Sequence, residues 1–164
     1  VHVFIESDPA SIMDRWSTAA GMESFFVEMM RITDPGGGER EMQQHAAPGD
    51  KFTWRWHNGR ALTGSYLDSG STNEVRFTFG ECTVSVRAQE CRNGSLLRLR
   101  QSGIPDDDNS RMHIHVNCRA AWVYFLTVLK TLLEHGIDCR DRSRQTGGVF
   151  STYFDPAAVG VSFD

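Results

Sequence analysis

Between residues 52 and 101 apolar and polar side chains alternate in five separate runs. "KFTWRWH" sets Phe52, Trp54 and Trp56 against Thr53, Arg55 and His57. "LTGSYLD" places Leu62, Gly64 and Tyr66 on one face. "EVRFTFGE" gives Val75, Phe77 and Phe79; "CTVSVRAQE" gives Cys82, Val84 and Val86; "SLLRLRQSG" gives Leu97, Leu99 and Gln101. A period of two throws successive side chains to opposite faces of a strand, so each run carries one apolar and one wet face. The links "HNGR", "DSGSTN", "GE" and "CRNG" are too short for crossover helices. Short links and alternation together predict an antiparallel meander with one face toward the core.

The flanks obey a different rhythm. "HVFIES" (2–7) reads as an opening strand. "SDPASIMDRWST" (7–18) reads as a helix, with Asp8 as N-cap, Pro9 in the first turn, and Ile12, Met13 and Trp16 as its apolar stripe. "AAGMESFFVEMMRITD" (19–34) divides into a second short helix to about Phe26 and a strand to Thr33, and "DPGGGER" is a turn. "RAAWVYFLTVLKTLLEHG" (119–136) carries Trp122, Phe125, Leu126, Leu129 and Leu133 at helical spacing and stops at Gly136. That helix is about 27 Å long at 1.5 Å per residue. A twisted sheet of this size curls around such a helix, which leaves room for a hollow between them. The predicted class is α+β: a curved antiparallel sheet of six to seven strands wrapped around a long C-terminal helix, with two short helices after the first strand.

Bulk properties narrow the function. A chain of 164 residues fits one domain. The net charge of −4 does not suit a nucleic-acid surface. The short basic run "CRDRSR" (139–144) reads as a solvated segment after the helix. No apolar run reaches the ~20 residues that span a bilayer, and the N-terminus has no signal-peptide pattern. Cys82, Cys91, Cys118 and Cys139 lack CxxC spacing and read as reduced thiols in the cytoplasm. "MHIHVNC" (112–118) puts His113 and His115 two apart, which on a strand would point both one way, but supplies too few ligands for zinc and reads as a linker approaching the helix, with both histidines at the surface or the cavity rim. Asp106, Asp107 and Asp108 read as a solvated loop, and "PGGGER" lacks the phosphate-loop frame. No cofactor, metal site or catalytic set is expected.

Several stretches, in order, resemble the START-like superfamily, also called SRPBCC or Bet v 1-like helix-grip proteins, and within it the C-terminal domain family of the activator of Hsp90 ATPase. They are "DPASIMDRWSTAAGMESFF", "ALTGSYLD" with Gly64 at the family's strand glycine, "EVRFTF", "LLRLRQSGIPDDDNSR", and "CRAAWVYFLTVLKTLLEHG" with Trp122 near its start. The resemblance spans residues 1–137; the tail 138–164, with Phe150, Tyr153 and Phe154, lies beyond it and reads as an arm docked on the same domain. It implies a pocket but no particular reaction.

The expected site follows from that pocket. Trp54, Trp56, Phe77, Phe79, Leu97, Leu99, Trp122, Phe125 and Leu126 are the candidate apolar wall, with Tyr66 and Gln101 as groups that orient a small apolar or amphipathic ligand. At roughly 25 cal/mol per Å2, burying about 250 Å2 of ligand gains on the order of 6 kcal/mol before binding costs. Plain core packing is the competing use of the same aromatics. Two other functions stay open: a protein-interaction domain with a chaperone as partner, and a cyclase- or hydrolase-like enzyme using Tyr66, His113 or His115. Monomer and homodimer are both compatible with the sequence.

Overall fold

The computed structural model describes residues 1–67 and 73–140. Residues 68–72 and 141–164, including Phe150, Tyr153 and Phe154, lie outside the described residues.

The chain opens with β1 (His2–Ile5), followed by α1 (Pro9–Ser17) and α2 (Ala19–Phe25). The Asp8 carboxylate accepts from the Ser11 amide at 2.8 Å and so caps α1. Thr18 ends α1 and caps α2, its Oγ1 accepting from the Gly21 amide at 3.0 Å. Six strands follow: β2 (Met29–Thr33), β3 (Lys51–Arg55), β4 (Ala61–Leu67), β5 (Glu74–Phe79), β6 (Cys82–Cys91) and β7 (Gly94–Ser102). They form one antiparallel sheet in the order β1-β7-β6-β5-β4-β3-β2. Every strand after β2 is a hairpin neighbour of the one before it. The exception is β1, which closes the far edge beside β7 with Phe4 opposite Leu96.

The inner face is the one the alternation predicts. Phe52, Trp54, Tyr66, Phe77, Val84, Val86, Leu97 and Leu99 are buried, together with Ile12, Trp16, Met22 and Phe25 from α1 and α2. Gly64 sits where a Cβ would lie 2.3 Å from Phe52 Cζ, so only glycine lets that ring lie flat under β4. Phe52 then stacks on Trp54 with centroids 4.1 Å apart.

A single turn, α3 (Asp108–Ser110), runs into a π-helical turn at Arg111–Val116 and then into α4 (Asn117–His135). The helix ends at Gly136 with φ of 69°, whose amide donates to Leu132 O at 2.9 Å. Trp122, Leu126, Val128 and Leu129 are its buried stripe. Glu134 accepts from the Glu6 amide at 2.8 Å and from Lys130, tying the end of β1 to α4. Among the described residues no helix is long and apolar enough to cross a membrane.

Three expectations need correction. The run holding His113 and His115 is a π-helical turn and not a linker, because Asp107 starts a helix there: its carboxylate accepts from the Ser110 amide at 2.9 Å. The triplet Asp106–Asp108 is therefore a helix start rather than a plain solvated loop, with Asp106 and Asp108 paired to Arg111. Arg140, read as solvated, is only 9% exposed. It donates to Val27 O, Glu23 O and Ser24 O at 3.1, 2.9 and 2.8 Å, satisfying carbonyls at and just beyond the end of α2, and pairs with Asp138 at 2.8 Å.

Candidate functional site

The sheet is not continuous along its length. Among the described residues β4 and β5 pair only at Tyr66–Phe77 and Leu67–Arg76. One step further the Ser65 amide donates to the Thr78 side chain, at 2.9 Å, instead of to a backbone carbonyl. Beyond that point the strands diverge. The start of β4 stays with β3, and the end of β5 stays with β6. On this side Phe79, at the end of β5, meets Trp122 of α4 with ring centroids 5.3 Å apart.

Two hollows occupy this region. One, of about 260 Å3, lies between the β3–β4 hairpin tip, the end of α2 and the first half of α4. Its wall is aromatic: Phe26, Trp56, Phe79, Trp122, Tyr124 and Phe125. These rings brace one another. Phe26 stacks on Trp122 at 5.4 Å and meets Trp56 and Phe125 edge-on at 5.7 and 4.7 Å. The polar lining is His57, Asn58, Arg60, Cys118 and Arg140. The second, of about 470 Å3, opens on the other side of Trp56 and shares Trp56, Arg60, Phe79 and Cys118 with the first.

The hairpin tip is tightly specified. The Trp56 amide donates to Arg60 O at 2.9 Å, the Gly59 amide to Trp56 O at 2.8 Å, and the Arg60 amide to Asn58 Oδ1 at 3.1 Å. Trp56 and Arg60 thus face each other across the turn, one step beyond the Arg55–Ala61 pair.

Charge around the first hollow is uneven. Among the described residues no Asp or Glu lines it, although the chain carries 21 acidic against 17 basic residues. Arg140 is matched by Asp138, and the His57 ring lies 3.9 Å from Glu28. Arg60 makes no ion pair among the described residues. Burial pushes the Cys118 thiol up, a hydrogen bond from Gln101 opposing it. No group of three His, Cys, Asp or Glu comes together among the described residues in a way that could hold a metal.

The expected wall divides in two. Trp56, Phe79, Trp122 and Phe125 line the hollow. Trp54, Phe77, Leu97 and Leu126 lie in the packed core behind it, and Leu99 lines a separate hollow beside β1. Tyr66 is also a core residue: its hydroxyl donates to Trp16 O at 3.0 Å, and burial pushes the phenol well above its ordinary range. Gln101 lines the second hollow and the one beside β1, with its side chain already bonded. Its oxygen accepts from Trp122 Nε1 at 2.8 Å and its amide lies 3.6 Å from Cys118 Sγ, so it fixes the Trp122 ring. Phe26, His57, Asn58, Arg60, Cys118, Tyr124 and Arg140 were not anticipated. Arg60 had a readable signal: it stands two before Leu62 in the same period-two register as Gly64 and Tyr66.

No protein-family model and no curated protein matches the sequence. Solved structures do. A structural-genomics protein from Staphylococcus saprophyticus superposes with a TM-score of 0.67 at 16% identity, covering 84% of this chain and 92% of that one. The Aha1 dimer from Colwellia psychrerythraea gives 0.64 at 15% identity, over 83% and 95% of the two chains. The fold is the helix-grip fold. A protein of the dynemicin biosynthetic locus, at 0.65 and 15% identity, shares it over 88% of this chain and 50% of its own. At these identities the likeness concerns the helix-grip fold alone.

Proposed function

We propose that this helix-grip domain binds a small amphipathic molecule in the cleft between the β3–β4 hairpin and α4. The observation that carries the reading is the unfilled aromatic hollow itself: six rings wall about 260 Å3, with His57, Asn58, Arg60, Cys118 and Arg140 as its polar lining. Apolar clefts with a few placed polar groups are the usual form of small-molecule sites. The body of the ligand would lie among Trp56, Phe79, Trp122 and Phe125, its gain coming from apolar area removed from water. All four cysteines are free thiols, which fits a cytoplasmic setting.

Native mass spectrometry of the protein purified from its own host tests this. A stoichiometric adduct, lost in Trp56→Ala while the fold persists, supports it. A clean apo mass, repeated against lipid and polyketide panels, overturns it. The fold shared with the Aha1 dimer favours a second reading, a chaperone-interaction domain that works as a homodimer. Sedimentation and a pull-down with a chaperone distinguish the two.

A further inference from the structure

We infer that the cleft selects a monoanion, a flat aromatic acid whose carboxylate meets Arg60. This rests on the cleft-binding reading above and specifies its ligand class.

Three observations converge. First, the 260 Å3 hollow is free of acidic side chains among the described residues, in a chain of net charge −4; the nearest acidic lining, Glu81, belongs to the second hollow on the other side of Trp56. Second, the other basic side chains of its lining already have partners. The Arg140 guanidinium is held by Asp138 and three backbone carbonyls, and His57 faces Glu28. Arg60 is the one basic side chain of this lining that makes no ion pair among the described residues. Third, Arg60 is placed by the hairpin and not by chance of a long side chain. Its backbone is locked opposite Trp56, on the inward register of β4, and it lines both hollows flanking that indole.

The chemistry follows. A planar guanidinium matches a carboxylate two-pronged and is only weakly hydrated, so pairing at an apolar rim gains more than it would in open water. A neutral ligand leaves the exposed guanidinium solvated, with no gain and no penalty. A cation is repelled. A dianion finds a second charge that no free partner answers. The braced rings of Trp56, Phe79 and Trp122 favour a flat body, and the hollow lies at the small end of ligand-site volumes, which suits one or two rings.

The test uses 2-naphthoate, its neutral isostere 2-naphthamide, and 2-naphthyl phosphate, titrated calorimetrically into the full chain at pH 7.5. The expected result is naphthoate at least tenfold tighter than naphthamide, with the phosphate no tighter than naphthoate. Arg60→Gln should bring naphthoate and naphthamide within twofold without weakening naphthamide. Arg60→Lys should restore part of the preference. Arg98→Gln, on the outer face of β7, should change nothing and so excludes general surface charge. Equal binding of acid and amide to the wild type, or an acid preference that survives Arg60→Gln, overturns the inference and leaves the cleft reading standing. A phosphate more than tenfold tighter than naphthoate overturns the monoanion assignment. Binding of none of the three overturns the inference, and mass spectrometry then judges the cleft reading separately.

Discussion

Replacing Gly64 with alanine adds one methyl group, and the structure says where it goes. The new Cβ would lie 2.3 Å from Phe52 Cζ, 2.9 Å from Phe52 Cε2 and 2.6 Å from Thr78 Oγ1. Carbon atoms in contact stand about 3.5–4.0 Å apart, so the ring must retreat by more than about 1 Å. It cannot retreat freely: Phe52 is stacked on Trp54 at 4.1 Å and met edge-on by Tyr66 at 5.6 Å. Moving Thr78 instead breaks the bond that its hydroxyl accepts from the Ser65 amide. Overpacking of this kind costs about 1–3 kcal/mol, and the strained hydrogen bond about 1 more. We expect Gly64→Ala to destabilise by about 3 kcal/mol. With an unfolding entropy of about 2.1 cal/mol/K per residue, a chain of this length should lose about 9 °C in Tm. Urea unfolding and calorimetry read both numbers. The mechanism is tested by Phe52→Leu, which removes the clashing ring atoms. In that background Gly64→Ala should cost about 1 kcal/mol, a coupling of about 2 kcal/mol. A Gly64→Ala protein melting within 2 °C of the parent, or strictly additive single and double variants, would refute the steric argument.

Trp54→Ala should cost about 4 kcal/mol, since its ring is fully buried, whereas Trp56→Ala should cost about 1–2 kcal/mol and instead abolish cleft binding; chemical denaturation and ligand titration of both variants check the division. Asp50 is a buried carboxylate: burial opposes its ionisation, but hydrogen bonds from Arg40 and the Ala47 amide win and hold its pKa below the ordinary 3.8. Its stabilisation is therefore present at neutral pH and lost as pH falls from about 4 through the lower folded value. Asp50→Asn should lower stability by about 3 kcal/mol at pH 7, a gap that narrows below pH 4 in denaturation curves taken across pH. Arg140→Leu strands three carbonyls of the α2 region and should cost about 3 kcal/mol; hydrogen exchange should rise first in α2.

Much of the fold was legible because strand parity is a local property. Phe52, Trp54, Phe77, Val84, Leu97 and Leu99 face inward as their alternation requires. Depth along a strand is not local. Trp54 and Trp56 share a face, their ring centroids 6.0 Å apart, yet Trp54 lies in the closed core while Trp56 reaches past it to the cleft. Which of them lines a cavity depends on where α2 and α4 end above the sheet. The same limit explains Tyr66 and Gln101, whose polar atoms are claimed by Trp16 O and Trp122 Nε1 from elements distant in sequence. Arg140 was missed because its carbonyl partners lie more than a hundred residues earlier. The π-helical turn gave no pattern at all: "MHIHV" alternates like a strand, and only the Asp107 cap upstream decides otherwise.

The pairing of β1 with β7 also sets an order of events during synthesis. The strand His2–Ile5 leaves the ribosome before the other six, but its partner, in register Phe4–Leu96, is not made until the whole meander has emerged. Hairpins from β3 to β7 can zip one after another, each closing a short loop, β2 joins β3 across residues 34–50, and β1 waits for the longest closure in the sheet. Until then β7 is an open edge and the Ile5 side of β1 is uncovered, so the nascent chain passes through a stage with an unclosed rim. A variant that delays β7 should prolong that stage, and aggregation during translation, more than final stability, would register the change.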